Sequence, residues 1–174
     1  MASTEGIVPV ADIPSTVNAV RLAGMLRDES ARILTNWSMR ITTLPVFRAV
    51  PELALDDLQQ NMPELLDAIL MAVSLSPYEY DQTPLDAAAS RATAHGEMRA
   101  SGFPVEVVLS EVQALQREVR NAIWRLAEGT PIPVIHELDD RLNEVFELVE
   151  RSSVTGWVQR TFDQMTSPIQ GEAA

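Results

Sequence analysis

Two histidines carry most of the chemistry that this 174-residue chain could offer. His95 stands four positions before Arg99 in a stretch rich in small residues, so on a helix the two side chains share one face. An imidazole at that place could ligate haem iron or accept a phosphoryl group. A haem pocket needs bulky apolar walls around its ligand, whereas this stretch offers mainly alanine. The expected role for His95 is therefore structural, as a hydrogen-bonding group in a packed interior.

His136 opens the run His136-Glu137-Leu138-Asp139-Asp140-Arg141-Leu142, a histidine followed by an acid. The run resembles the phosphoacceptor box of sensor histidine kinases but lacks that box's usual proline. Short motifs need the right structural context, and a solvated first-turn histidine is the expectation. Acids crowd the same region, among them Glu144, Glu147 and Glu150, and charge runs on helices are usually solvated faces. No Ser-His-Asp order, glycine-rich phosphate loop or Glu-x-x-His pair stands out. The sequence thus assigns no catalytic residue, no metal ligand and no cofactor. The sequon Asn36-Trp37-Ser38 falls inside an expected helix and is discounted.

Composition narrows the field further. There are no cysteines, which excludes disulfides, thiolate metal sites and cysteine nucleophiles. All thirteen basic residues are arginines, and against 25 acids they leave a net charge of −12. A phosphate backbone needs a positive footprint, so nucleic acid is not an expected partner. With 46% hydrophobic residues the chain reads as one folded domain. Its most apolar stretch, Ala68 to Val73, is far short of the ~20 residues of a membrane helix. Residues 1–14 lack the basic start and apolar run of a secretory signal, so a cytoplasmic location is the default expectation.

The elements that must position these residues are helical throughout. Residues 1–14 read as a flexible arm, and Ser15 or Thr16 caps a first helix running to about Thr43. Pro45 and Pro51 bracket one short turn. Asp56 and Asp57 suit a helix start, and Pro63 either kinks that helix or marks the first turn of a second one. Thr83-Pro84 opens the small-residue helix that ends near Ser101-Gly102. Pro104 starts a helix with a regular apolar face from Val105 to Leu126. The last helix opens after Pro131 and Pro133 and runs to about Met165, some thirty residues and ~45 Å. The expected fold is all-α, a bundle of about five or six helices. The aromatic residues, Trp37, Trp124, Trp157, Phe47, Phe103, Phe146 and Phe162, are assigned to core packing.

The last helix carries Ile135, Leu138, Leu142, Val145 and Val149 at alternating spacings of three and four, followed by Ser152 and Gly156. Such a seam suits a partner helix, either from a second copy or from the same chain. The dimer reading assigns Leu138, Leu142, Val145 and Val149 to the interface of a homodimer.

One stretch is more specific than periodicity. Residues 94–104, Ala-His-Gly-Glu-Met-Arg-Ala-Ser-Gly-Phe-Pro, lead into the helix holding Leu109, Glu111, Leu115 and Arg117. This resembles the N-terminal sensor domain of RsbR-type stressosome proteins, the RsbT co-antagonist N-terminal family. The blocks Leu55–Ala68 and Leu138–Val149 are similar to further parts of that family, so the resemblance covers roughly residues 20–160. It implies a globin-like, haem-free, dimeric signal-input domain, not an enzyme. In it the long last helix would pass a signal to a downstream effector domain or protein. On that reading residues 15–165 are the sensor domain and 166–174 a linker or tail. Two rival readings use the histidines. A haem or other apolar ligand could lie near His95, or phosphotransfer could use His136 or His95.

Overall fold

A computed structural model describes residues 15–48, 59–74 and 81–166, which form seven helices and no strand. The expected all-α class holds. Helix α1 spans Ser15–Asp28, α2 Ser30–Ile41, α3 Pro45–Arg48 and α4 Met62–Val73. Then come α5 at Thr83–Arg99, α6 at Val105–Leu126 and α7 at Ile132–Thr166. The proposed arm at 1–14, the Asp56-Asp57 helix start and most of the tail at 166–174 lie outside the described residues.

The helix count exceeds the expected five or six because the first long helix is two. The chain breaks at Glu29, whose amide hydrogen is shared between the carbonyls of Met25 and Leu26. No proline or glycine marks that position in the sequence. Glu29 is instead held by Arg125 from the end of α6, 2.8 Å away. Pro63 falls in the first turn of α4, where its missing amide donor costs nothing. The residue that turns the chain into α4 is Asn61, the one non-glycine residue with positive φ among those described. At the start of α5 the Asp81 carboxylate accepts the Thr83 amide, 3.0 Å away. Hydrogen bonds from the Thr83 side chain and amide hold that carboxyl below its usual range.

The core is one continuous cluster drawn from all the helices. Trp37, Ile33 and Ile41 from α2 meet Leu65, Leu66 and Ile69 from α4, and Val112, Leu115 and Val119 line the inner face of α6. Leu138, Leu142, Val145, Phe146 and Val149 close the cluster from α7. The heptad-like seam therefore packs inside its own protomer. Leu138, Leu142, Val145 and Val149 are only 0–3% exposed in the single chain. In the single chain they are covered by its own helices. The periodicity identifies the buried stripe, but its partners are the helices of the same chain. Two aromatic assignments are corrected as well. Trp124 and Phe162 are exposed, whereas Trp37, Phe47 and Phe146 are buried as expected.

Helices α5 and α7 make the most extensive pairing in the molecule. They touch backbone to backbone. A methyl group added at Gly96 would lie 1.8 Å from the Ser153 carbonyl oxygen, and one at Gly156 would lie 2.1 Å from the Thr93 carbonyl. The glycines at the crossing thus leave no room for a side chain between the two backbones. Beyond that crossing α7 runs on. No residue described after Gly156 is buried, and at 35 residues the helix is about 52 Å long.

Candidate functional site, a sealed polar cluster beneath the last helix

His95 and Arg99 sit on the inner face of α5, one turn apart, as their spacing predicts. Both are sealed, at 0% and 2% exposure. They meet Glu111 of α6, itself fully buried. The Arg99 Nε donates to both Glu111 carboxylate oxygens, at 3.2 and 3.0 Å. His95 Nε2 lies 3.2 Å from Glu111 Oε2, in contact but off the line of a hydrogen bond, and its Nδ1 meets no protein acceptor. The guanidinium of Arg99 also lies over the Phe103 ring, 5.7 Å from its centre.

A buried carboxylate needs a paired cation and satisfied lone pairs, and Arg99 supplies most of both. The main chain at Glu111 is held as well. Trp37 Nε1 donates to the Glu111 carbonyl across 3.0 Å, tying α2 to the same turn of α6. Two turns on, Arg40 of α2 donates its Nε to the buried Glu118. Three helices are thus tied by polar contacts within an otherwise apolar core, α2 to α6 by Trp37 and Arg40 and α5 to α6 by Arg99, while α7 joins them through close backbone packing on α5. Replacing Trp37 with phenylalanine removes one buried donor while keeping most of the ring volume. The expected cost is about 1–2 kcal/mol, read as a lower midpoint in urea with an unchanged slope.

Sequence reasoning misses Glu111 and Glu118 as cluster residues, although a signal is there. Each acid stands inside the apolar row of α6, between Val108 and Val112 and between Leu115 and Val119. A carboxylate at such a place must be paired, since lone buried charges are too costly. Ser153 adds a third unusual group, a fully buried hydroxyl on α7 without a hydrogen-bond partner. By contrast His136 is exposed near the start of α7, as expected for a solvated first-turn histidine.

The polar cluster joins α5 to α6 through the Arg99–Glu111 pair. Its groups are closed to solvent, and His95 presents its Nε2 to a carboxylate rather than to an open space. Among the described residues no group of three His, Asp and Glu side chains is placed to hold a metal ion. No helix among them is long and apolar enough to cross a membrane. What fold and cluster define together is an all-helical domain with a sealed polar core and a projecting terminal helix.

Over residues 31–165 the chain matches the family model of the RsbT co-antagonist protein rsbRD N-terminal domain. It belongs to that family, a family of stressosome signalling input domains. No curated protein and no solved structure matches it significantly.

Proposed function

We propose that residues 15–165 form a non-enzymatic, haem-free sensor domain that works as a homodimer and passes its signal along α7 to a downstream effector. The observation that carries this reading is the exposed end of that helix. Val158, Phe162 and Met165 follow one another at spacings of four and three, so they form one apolar row. Phe162 is 63% exposed. Among the described residues nothing covers this row, and the same row from a second copy is its natural complement under two-fold symmetry. The dimer contact moves from the buried seam at 138–149 to these last turns.

The arrangement supports relay because α7 is continuous from the core to that contact. Its first half packs in the cluster, Ser153 and Gly156 further along lie against α5, and the turns after Gly156 are free to meet a partner. An input that prefers one setting of the crossing would bias the lower pair by its difference in affinity for the two settings. The haem-free reading is supported by the closure around His95, whose ring has no exposed atom and faces Glu111. Phosphotransfer at His95 is opposed by the same closure. His136 is accessible, but it lies at the far end of α7 from the free apolar row.

Phe162→Asp is expected to turn a dimer into a monomer without loss of helix content, because no buried group is disturbed. Sedimentation velocity beside circular dichroism reads both quantities. A dimer that persists in this variant places the contact elsewhere. The chain has no cysteine, so Phe162→Cys introduces a lone thiol. Rapid oxidation of that variant to a covalent dimer is the positive counterpart.

A further inference from the structure

We infer that a half-open pocket between the end of α2 and the outer face of α6 binds a small multivalent oxyanion, with carboxylate or phosphoryl groups. The pocket has a volume of about 380 Å³, within the range of ordinary ligand sites. Three of the thirteen arginines line it, Arg40, Arg117 and Arg120, together with the side-chain amides of Gln113 and Gln116 and with Ser110, whose hydroxyl donates to the Glu106 carbonyl. Among the described residues no carboxylate lines it, in a chain whose acids outnumber its arginines 25 to 13.

The three guanidinium groups differ in a useful way. Arg40 is fixed from behind by the buried Glu118, through its Nε alone. Arg120 is fixed from behind by Asp139, 2.7 Å away, and by Asn143. Both are held in place before any ligand arrives, which reduces the ordering cost of binding. Neither Nη nitrogen of Arg40 has a hydrogen-bond acceptor among the described residues. Among the described residues Arg117 faces no carboxylate within ion-pair distance. Its neighbours three and four positions away on α6 are Gln113, Ala114, Arg120 and Asn121, so no acid of its own helix face offsets it. Like charges at this spacing destabilise a helix, and an anion seated between Arg117 and Arg120 removes that repulsion. Guanidinium forks match carboxylate and phosphoryl oxygens in pairs, which gives the site its chemical class.

The pocket adjoins the sealed cluster, since Ser110 and Gln113 flank Glu111 and Arg40 is bonded to Glu118. An anion there would act directly on the turn of α6 that holds Arg99. Calling the anion an input rests on the sensor reading above. The binding itself does not, and it is measured whether the chain is a dimer or a monomer.

The test is isothermal titration of the full chain at low ionic strength with two probes, citrate for the carboxylate source and pyrophosphate for the phosphoryl source. At least one is expected to bind once per chain with a Kd below roughly 1 mM. Arg117→Gln should weaken that binding about tenfold or more, and Gln113→Glu, which places an acid in the pocket, should abolish it. Arg91→Gln, on the exposed face of α5, should leave it unchanged. Absence of binding by both probes, equal binding by wild type and Arg117→Gln, or an equal loss in Arg91→Gln overturns the proposal.

Discussion

Replacing Glu111 with leucine lowers the melting temperature of this domain by about 10 °C, the largest effect expected of any single side chain in the cluster. The variant removes the carboxylate that receives both Nε contacts of Arg99 and the contact of His95. Both partners remain in a site with essentially no access to water. Removing one member of a buried ion pair costs about 3–5 kcal/mol, because the other stays buried after losing the opposite charge that faced it. In a domain of this size each kcal/mol moves the melting temperature by roughly 2–4 °C. The double variant Glu111→Leu with Arg99→Met should regain most of that loss, since an apolar pair of similar volume meets no such penalty. Thermal scans of the single and double variants decide the matter. If the double variant is no more stable than Glu111→Leu alone, Arg99 and Glu111 do not act as a pair.

The second large effect is expected at the helix crossing. Gly96→Ala places a methyl group where the Ser153 carbonyl already stands, and backbone cannot step aside as a flexible side chain can. Forcing extra volume into a packed contact costs about 1–3 kcal/mol, and a clash with main chain belongs at the top of that range or beyond it. Gly102→Ala is the matched control, because nothing lies within 4 Å of the added methyl. Its stability should stay within about 0.5 kcal/mol of wild type. Urea unfolding of the two variants reads the difference. Equal stability would mean that α5 and α7 can separate without cost, which would also remove the crossing as a place where a signal could be felt.

Much of this architecture is legible in the residues. The apolar row of α6 and the proline-marked starts of α4, α6 and α7 place those helices, and the spacing of His95 and Arg99 places both on one inner face. Other features leave no local mark. The break at Glu29 carries no proline or glycine, and the partner of its side chain is an arginine 96 positions away. The seam at Leu138, Leu142, Val145 and Val149 shows the limit of periodicity most clearly. A three-and-four spacing reports that a stripe is buried, and it is the same whether the covering helix is in the same chain or in another. Further along, Val158, Phe162 and Met165 continue as an exposed apolar row, the one that the proposed dimer would use. Glu111 is hidden for the opposite reason. It is a charged residue in an apolar stripe, an exception that only a partner from another helix explains.

The central claim is a haem-free dimer joined through the end of α7, and native mass spectrometry beside the denatured mass tests it most directly. The prediction is twice the 19.2 kDa chain mass with nothing added, falling to one chain mass in Phe162→Asp. A single chain mass for the wild type contradicts the dimer. Added mass that is lost on denaturation, at the size of a haem or another apolar ligand, contradicts the haem-free reading.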